Sequence, residues 1–380
     1  AKEIKKENPE TIIVFGGAGM LNSGQQIIQS PFVDFVVFEA GEATFNELLN
    51  SIKAGKLNEG IPGVAYKKAG NYIKNEPIPR NLNHTAYPDF SDFQIDGYFT
   101  NNVVLSILSS KGCYWRRCSF CEEGAINQYA EALVERVVDE IEFHCSNGYH
   151  YFQFIDEMIS PERLRIISKE IIKRKLKVFF YATLGPSADF DSETLQLMFE
   201  AGFRYIIWGV ESCNRRVLKL VKKGTSIKSI RNTLKMSKDA GIRNHIFMFI
   251  GFPSETPDEL FETMQFFYDN QENIHHVHSG TFSLCKGTEI FLNPDKFDIE
   301  IKQLENNDST YIAIHKNGTT GRKAGYYYNY YNETFLNKFA LATTFGRLRD
   351  HALLHYAKIP LEHYENKRDK IPQPVPAPNP

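Results

Sequence analysis

Three cysteines, Cys113, Cys118 and Cys121, fall within nine residues in the run SKGCYWRRCSFC. Thiolates are soft metal ligands, and three on one short loop can bind three corners of a 4Fe-4S cluster. A missing fourth protein ligand leaves one iron open, so a small molecule with amino and carboxylate groups can coordinate there. A CxxC pair is also half of a structural zinc site, but zinc needs a fourth ligand and a second paired half-site. The sequence offers no such partner: His144 and Cys145 sit together in a helical stretch, and Cys213 and Cys285 are scattered. These last three cysteines read as small buried hydrophobes.

A catalytic loop needs a scaffold, and the residues around it alternate strand and helix. Short β-branched or aromatic runs recur at Val103–Leu108, Tyr149–Ile155, Val178–Tyr181, Tyr205–Gly209, His245–Ile250 and Val277–Leu284. Amphipathic helices are expected between them. Ser160-Pro161 starts one, Gly202 and Gly241 close others, and Thr256-Pro257-Asp258-Glu259 caps a further one. From Pro161 to Lys175, Leu164, Ile167 and Ile171 share one helical face. Repeated βα units predict a right-handed parallel sheet curling toward a barrel, and six units predict a partial barrel over residues 103–300. The cysteine loop directly follows the first strand, on the side where such barrels carry their chemistry.

Residues 1–80 read as a smaller α/β unit. A strand at Thr11–Phe15 enters Gly16-Gly17-Ala18-Gly19, and a second at Phe32–Phe38 leads into a helix carrying Phe45, Leu48 and Leu49. A hairpin is expected around Ala69-Gly70-Asn71, and residues 81–102 read as a linker. In the C-terminal region, 301–380, the beat is lost. Residues 333–356 look helical, Tyr326-Tyr327-Tyr328-Asn329-Tyr330-Tyr331 is an aromatic packing segment, and IPQPVPAPNP suits an extended, disordered tail.

Composition narrows the class. Forty-four basic and 46 acidic residues in mixed order leave a formal charge of −2, unlike the one-sided field of a nucleic-acid binder. There is no apolar run of membrane-spanning length, and AKEIKKENPE is too polar for a signal peptide, so a cytoplasmic location with neither membrane nor nucleic acid as partner is expected.

The loop KGCYWRRCSFC, with an aromatic residue before its last cysteine, resembles the signature of the radical S-adenosylmethionine (radical SAM) superfamily. GVES at Gly209–Ser212, the following RRVLKLVKKG, and FIGFPSETPDE at Phe249–Glu259 resemble successive blocks of that barrel. Upstream, GGAGM, DFVVFEAGEATFNELL and IPGVAYKKAGNYI are similar to segments of the cobalamin-binding branch. The resemblance therefore implies a partial Rossmann-like, cobalamin-binding-type domain before a partial (β/α)6 TIM-type barrel. Two departures stand out. Four residues separate the first two cysteines where the family usually has three, and the chain lacks the DxHxxG histidine that supplies a lower cobalt ligand. Either the chain is a truncated piece or its remaining lobe no longer binds cobalamin.

The resemblance also implies roles. Cys113, Cys118 and Cys121 hold the cluster, whose open iron chelates S-adenosylmethionine. Asp156 and Glu157, ending the second barrel strand, hold the methionine ammonium. Glu211, ending the fourth, meets the ribose or methionine portion. The backbone from Phe249 to Gly251 meets adenine, and Phe120 packs on the cluster or adenine. Each has a plainer reading, since acidic residues at strand ends also cap helices and Gly251-Phe252-Pro253 also makes a turn. Of His275, His276 and His278, alternation puts the last two on one strand face, as packing or substrate lining rather than metal ligands. The implied protein is an enzyme of methyltransferase or oxidoreductase type, with a 4Fe-4S cluster, S-adenosylmethionine, a candidate cobalamin, a small-molecule or peptide substrate and a flavodoxin- or ferredoxin-like reductant. The competing class is an iron–sulfur electron-transfer protein without radical chemistry.

Overall fold

Sequential strands joined by helices lie side by side in chain order when every crossover steps the same way along the sheet, and the barrel region does this. The computed structural model describes residues 1–17, 19–38, 41–55, 60–77, 81–93, 102–123, 129–303 and 311–315. The expected helix at 333–356, the tyrosine run at 326–331 and the proline-rich end lie outside these residues. The chain divides into two compact units. One comprises 1–93, 110–112 and 126–133, and the other comprises the remainder.

In the first unit, helix α1 (Lys2–Glu7) precedes strand β1 (Val14–Phe15), α2 (Met20–Gln29), β2 (Phe35–Val37), α3 (Gly41–Lys53), β3 (Val64–Lys68) and β4 (Asn71–Lys74). The sheet order is β1-β2-β3-β4, with β1 parallel to β2 and the rest antiparallel. The β3–β4 hairpin turns through Ala69 and Gly70, both at positive φ (50° and 78°), and Asn71 already belongs to the strand. Helix α2 was not expected from MLNSGQQIIQ, which carries a glycine and several polar residues. Its Gly24 has a packing reason, because a Cβ there would lie 2.6 Å from the Phe38 ring. The helix lies closer to the sheet than a side chain permits.

The second unit holds the partial barrel. Among the described residues its sheet has six strands: β5 (Val104–Ile107), β8 (Tyr151–Phe154), β9 (Phe179–Leu184), β10 (Phe203–Glu211), β11 (Arg243–Ile250) and β12 (His276–Thr281). They lie side by side in chain order, every pair parallel. Two short strands, β6 (Ser110–Lys111) and β7 (Ala130–Glu131), pair in the first unit, and β13 (Ile299–Gln303) and β14 (Tyr311–His315) form an antiparallel ribbon. The connecting helices are α4 (Val134–Ser146), α5 (Pro161–Lys173), α6 (Ser192–Ala201), α7 (Arg215–Val221), α8 (Ile227–Asp239) and α9 (Pro257–Asp269), followed by the single turn α10 (Glu289–Leu292).

The caps follow the local sequence. Side chains of Ser160, Asp191, Asn214 and Ser226 each accept from a backbone N–H of the following first turn, and Thr256 with Glu259 forms a capping box. One strand face packs on the helices. Phe152, Phe154, Phe180 and Phe203, all at most 2% exposed, meet with ring centroids 5.0–5.8 Å apart, and Leu164, Ile167 and Ile171 of α5 are fully buried. The opposite face carries the polar and aromatic residues described below.

Gly202 closes α6 in the left-handed region (φ 115°), and a Cβ would lie 2.1 Å from the Val178 carbonyl oxygen. Gly202→Ala should lower the stability of the chain by about 2 kcal/mol or more. Gly280→Ala, where open space surrounds the position, should be nearly neutral. Urea-unfolding midpoints of the two variants compare them directly.

Candidate active site

The loop from Gly112 to Cys121 is shaped by the end of a helix it meets far along the chain. A helix leaves its last carbonyls without intrahelical donors, and the loop supplies them at α7. Ser119, fully buried, donates from N to Val221 O (3.0 Å) and from Oγ to Leu220 O (2.7 Å). The Trp115 indole donates to Lys222 O at 2.7 Å. Its ring lies against Gly224, where a Cβ would come within 2.2 Å of it. Gly224 has φ 75°, so both backbone and space call for glycine there. The Ser119 carbonyl in turn accepts from Ile290 N of α10 (3.1 Å).

The three expected ligands stand on this loop as half-buried thiols outside any disulfide. Burial pushes the Cys118 thiol up to about 12; the Lys223 ammonium pulls it back, while Cys121, Cys113 and Glu211 push it further up. Cys113 and Cys121 therefore lie near enough to Cys118 to oppose its ionisation, and thiolate donors of this kind are matched by a polycation. Among the described residues no group of three or more His, Cys, Asp or Glu side chains gathers as one metal ion would require. A cubane binds each thiolate to a different iron and needs no such shared centre. The residues present fit that group.

Beside the thiols lies an ion pair. Strand β10 ends in an irregularity between Gly209 and Glu211, and Glu211 takes a left-handed φ of 66°, a strained backbone for a residue with a side chain. Its carboxylate accepts from Lys223 Nζ at 2.5 Å, with both side chains only 12–13% exposed. Burial alone would depress the lysine, but the charge and hydrogen bond of Glu211, with Cys118 and Cys121 nearby, leave it raised. Gly209 makes room for the pair, since a Cβ there would sit 2.4 Å from Lys223 Nζ.

The other expected residues divide. Phe120 meets Phe249 edge-on with centroids 5.2 Å apart, and Phe249 stacks on Phe252 at 5.6 Å. Gly251 has φ 78° and donates its N–H to the buried Glu255 at 2.8 Å. Asp156, 4% exposed, accepts from Ser109 N (3.0 Å) and Ser109 Oγ (2.7 Å) through its two oxygens. Arg163 donates to the same serine's hydroxyl and carbonyl. Asp156 thus ties the end of β8 to the residue after β5, whereas Glu157 is exposed.

The face of the sheet away from the helices adds residues that sequence reasoning missed. Gln153 accepts from the Tyr181 hydroxyl, and Tyr205 Oη lies 2.5 Å from His245 Nδ1. The parallel register sets His245 opposite His276, with rings 4.4 Å apart, and Phe247 opposite His278 at 5.2 Å. His276 and His278 do share a face, as alternation predicts, and His245 joins them from the neighbouring strand. Only the strand register could have revealed that third imidazole. His275 points elsewhere, its Nδ1 accepting from Asn244 N.

Burial, then the neighbouring His276 and His278, lowers His245 to about 4, and burial with His278 lowers His276. An unfolded histidine titrates near 6.5. The unfolded chain therefore binds more protons than the native one between those values, and native stability is complete above about pH 6.5 and drains as pH falls toward 4. His245→Phe should flatten this acid limb in urea titrations at pH 7.5, 6 and 5. An unchanged slope in the variant would contradict the assignment.

A family model described as the radical SAM superfamily matches residues 107–267. The chain is 28% identical over 276 residues to an uncharacterized methyltransferase of Pyrococcus horikoshii, covering 70% of this chain and 60% of that protein. It is 27% identical over 274 residues to the anaerobic magnesium-protoporphyrin IX monomethyl ester cyclase of Rubrivivax gelatinosus, covering 68% and 49%. The chain thus spans about half to three fifths of the length of these relatives. Its fold is similar to that of the radical S-adenosylmethionine methyltransferase TsrM from Kitasatospora setae, solved with cobalamin and a 4Fe-4S cluster bound (TM-score 0.68, 19% identity, 80% of this chain and 63% of that one). It is also similar to the cobalamin-dependent S-adenosylmethionine radical enzyme OxsB (TM-score 0.59, 19% identity, 78% and 44%). The stretch matched by the radical SAM superfamily model runs from the end of the first barrel strand into α9, with the cysteine loop at its head.

Proposed function

We propose that the protein is a radical SAM enzyme that cleaves S-adenosylmethionine at a 4Fe-4S cluster held by Cys113, Cys118 and Cys121, and that its reaction class is methyl transfer to a carbon centre. The observation that carries this reading is the three-thiol loop docked on α7 through Trp115 and Ser119, with Cys113 and Cys121 near enough to Cys118 to raise its thiol. Relatives named as methyltransferases support the reaction class. A 4Fe-4S cluster held by Cys113, Cys118 and Cys121 would supply the single electron needed to cleave a carbon–sulfur bond of S-adenosylmethionine.

The chain's own residues then have distinct tasks. Trp115 and Ser119 hold the loop so that its thiolates are presented together. Lys223, paired with Glu211, keeps a positive charge beside Cys118. Phe120 and Phe249 form an apolar flank that excludes water, and the backbone at Gly251 is the edge we assign to adenine. We assign the methionine ammonium to the exposed Glu157. Asp156, with both oxygens turned to Ser109, becomes a positioning residue for the strand end. The face carrying Tyr181, Tyr205, His245 and His276 is the wall we assign to substrate.

The residues described do not supply a lower ligand for cobalt. The first unit holds one histidine, His84, in the short turn Leu82–His84. No step is assigned to cobalamin here, and its binding by the whole protein is supported only by likeness of fold. No helix among the described residues is long and apolar enough to cross a membrane. Thiols outside any disulfide and the need for a reductant favour a reducing, cytoplasmic setting.

The test is anaerobic reconstitution with iron and sulfide, followed by reduction and mass-spectrometric assay for 5′-deoxyadenosine. Wild type should take up cluster and form the product, while alanine at any one of the three cysteines should abolish both. A fully clustered, reduced chain with no effect on S-adenosylmethionine, and no spectral response to it, would identify an electron-transfer protein instead. Zinc without iron after anaerobic purification would identify a scaffold.

A further inference from the structure

One groove on the second unit concentrates positive charge. The chain is nearly neutral overall, at −2. Yet a groove of about 540 Å³ is lined by Arg117, Arg215, Lys219, Lys222 and Lys228 together with Trp115, and no carboxylate is among its lining residues. Arg215 and Lys219, four residues apart, share one side of α7, and Lys222 follows as its C-cap at a left-handed φ of 58°. Lys228 joins them from the first turn of α8. Lys222 pairs with Glu289, and Arg117 lies over the Trp115 ring. Arg215, Lys219 and Lys228 are exposed, and among the described residues none has an ion-pair or hydrogen-bond partner. Like charges held together without compensation are unfavourable for the isolated surface, and they favour an anionic partner.

The position of the groove says which anionic partner. Its wall is the cysteine loop itself, because Trp115 and Arg117 lie between Cys113 and Cys118. The Trp115 indole reaches from that wall to Lys222 O, one residue from the lysine that neighbours Cys118. A protein seated there would therefore stand against the part of the loop that carries Trp115 and Arg117. Single-stranded nucleic acid fits poorly, since it needs successive aromatic faces to stack bases. The one aromatic ring here is already occupied by Gly224 and Arg117.

We propose that this groove is the docking surface for a small acidic one-electron carrier protein that reduces the cluster. This rests on the cluster assignment above. In the step it serves, the carrier is oxidised by one electron, the cluster core is reduced by one electron, and no bond or proton is exchanged. Charged grooves of this kind raise the association rate and make it fall with salt.

The test uses an acidic flavodoxin as probe, in its hydroquinone form for electron transfer and oxidised for binding. Titration calorimetry of the oxidised probe against the reconstituted chain should give an affinity that weakens with added salt. It should weaken at least about tenfold in the triple variant Arg215→Glu/Lys219→Glu/Lys228→Glu. The neutral set Arg215→Gln/Lys219→Gln/Lys228→Gln should fall between. Stopped-flow reduction by flavodoxin hydroquinone, which becomes the semiquinone, should slow in the same order, whereas reduction of the same variants by dithionite should be unchanged. Equal affinities and equal flavodoxin-driven rates across the three proteins would overturn the proposal. So would charge reversal that abolishes binding of a single-stranded RNA while leaving flavodoxin binding intact. Failure of the cluster assignment looks different, because dithionite would then reduce nothing in any variant while the calorimetric comparison still reads the docking surface.

Discussion

The arrangement depends on hydrogen bonds between a loop and the end of a helix. The carbonyls of Leu220, Val221 and Lys222 take donors from Ser119 and Trp115. Each such bond is worth only about 1 kcal/mol net, but here they answer two needs at once. The end of α7 is satisfied without water, and a loop with little regular structure of its own acquires a fixed course. Cys113 and Cys118 bracket Trp115, and Cys118 and Cys121 bracket Ser119 and Phe120, so anchoring these residues holds the thiols close.

Around that anchor, unfavourable local choices offset one another. Glu211 adopts a left-handed backbone, and Gly209 leaves space for Lys223 to reach it. The ion pair is mostly buried, a situation in which desolvation cancels much of the attraction. Its place beside Cys118, whose thiol the Lys223 charge pulls down, gives that charge a purpose that packing alone does not. A similar trade appears where Asp156, Ser109 and Arg163 join two strand ends, because buried polar groups that are fully bonded fix one geometry and reject neighbouring ones.

The barrel strands and helix caps were legible because their signals are local. Alternation and cap residues are read within a few positions, and Ser160, Gly202 and Thr256 act where they stand. The cysteine loop stands out in the sequence because three thiols at close spacing have few structural uses. Three features escaped because they depend on distant partners. Helix α2 has a weak sequence pattern and is held by contact with Phe38. His245 joins His276 only through the register of two strands some thirty residues apart. Asp156 looked like a ligand residue by position, and only its buried contact with Ser109 shows that its oxygens are engaged.

The span of chain between loop and helix also governs how the molecule matures. Trp115 and Ser119 find their acceptors 107 and 101 residues downstream. A growing polypeptide emerges amino end first and folds domain by domain. The thiol-bearing segment is therefore already made while its mould, four strands into the sheet, is still missing. With the cluster assigned to these thiols as proposed above, iron delivered before α7 exists would meet an unshaped segment, and assembly of the inorganic centre would belong after the fourth strand and the helix that follows it have formed.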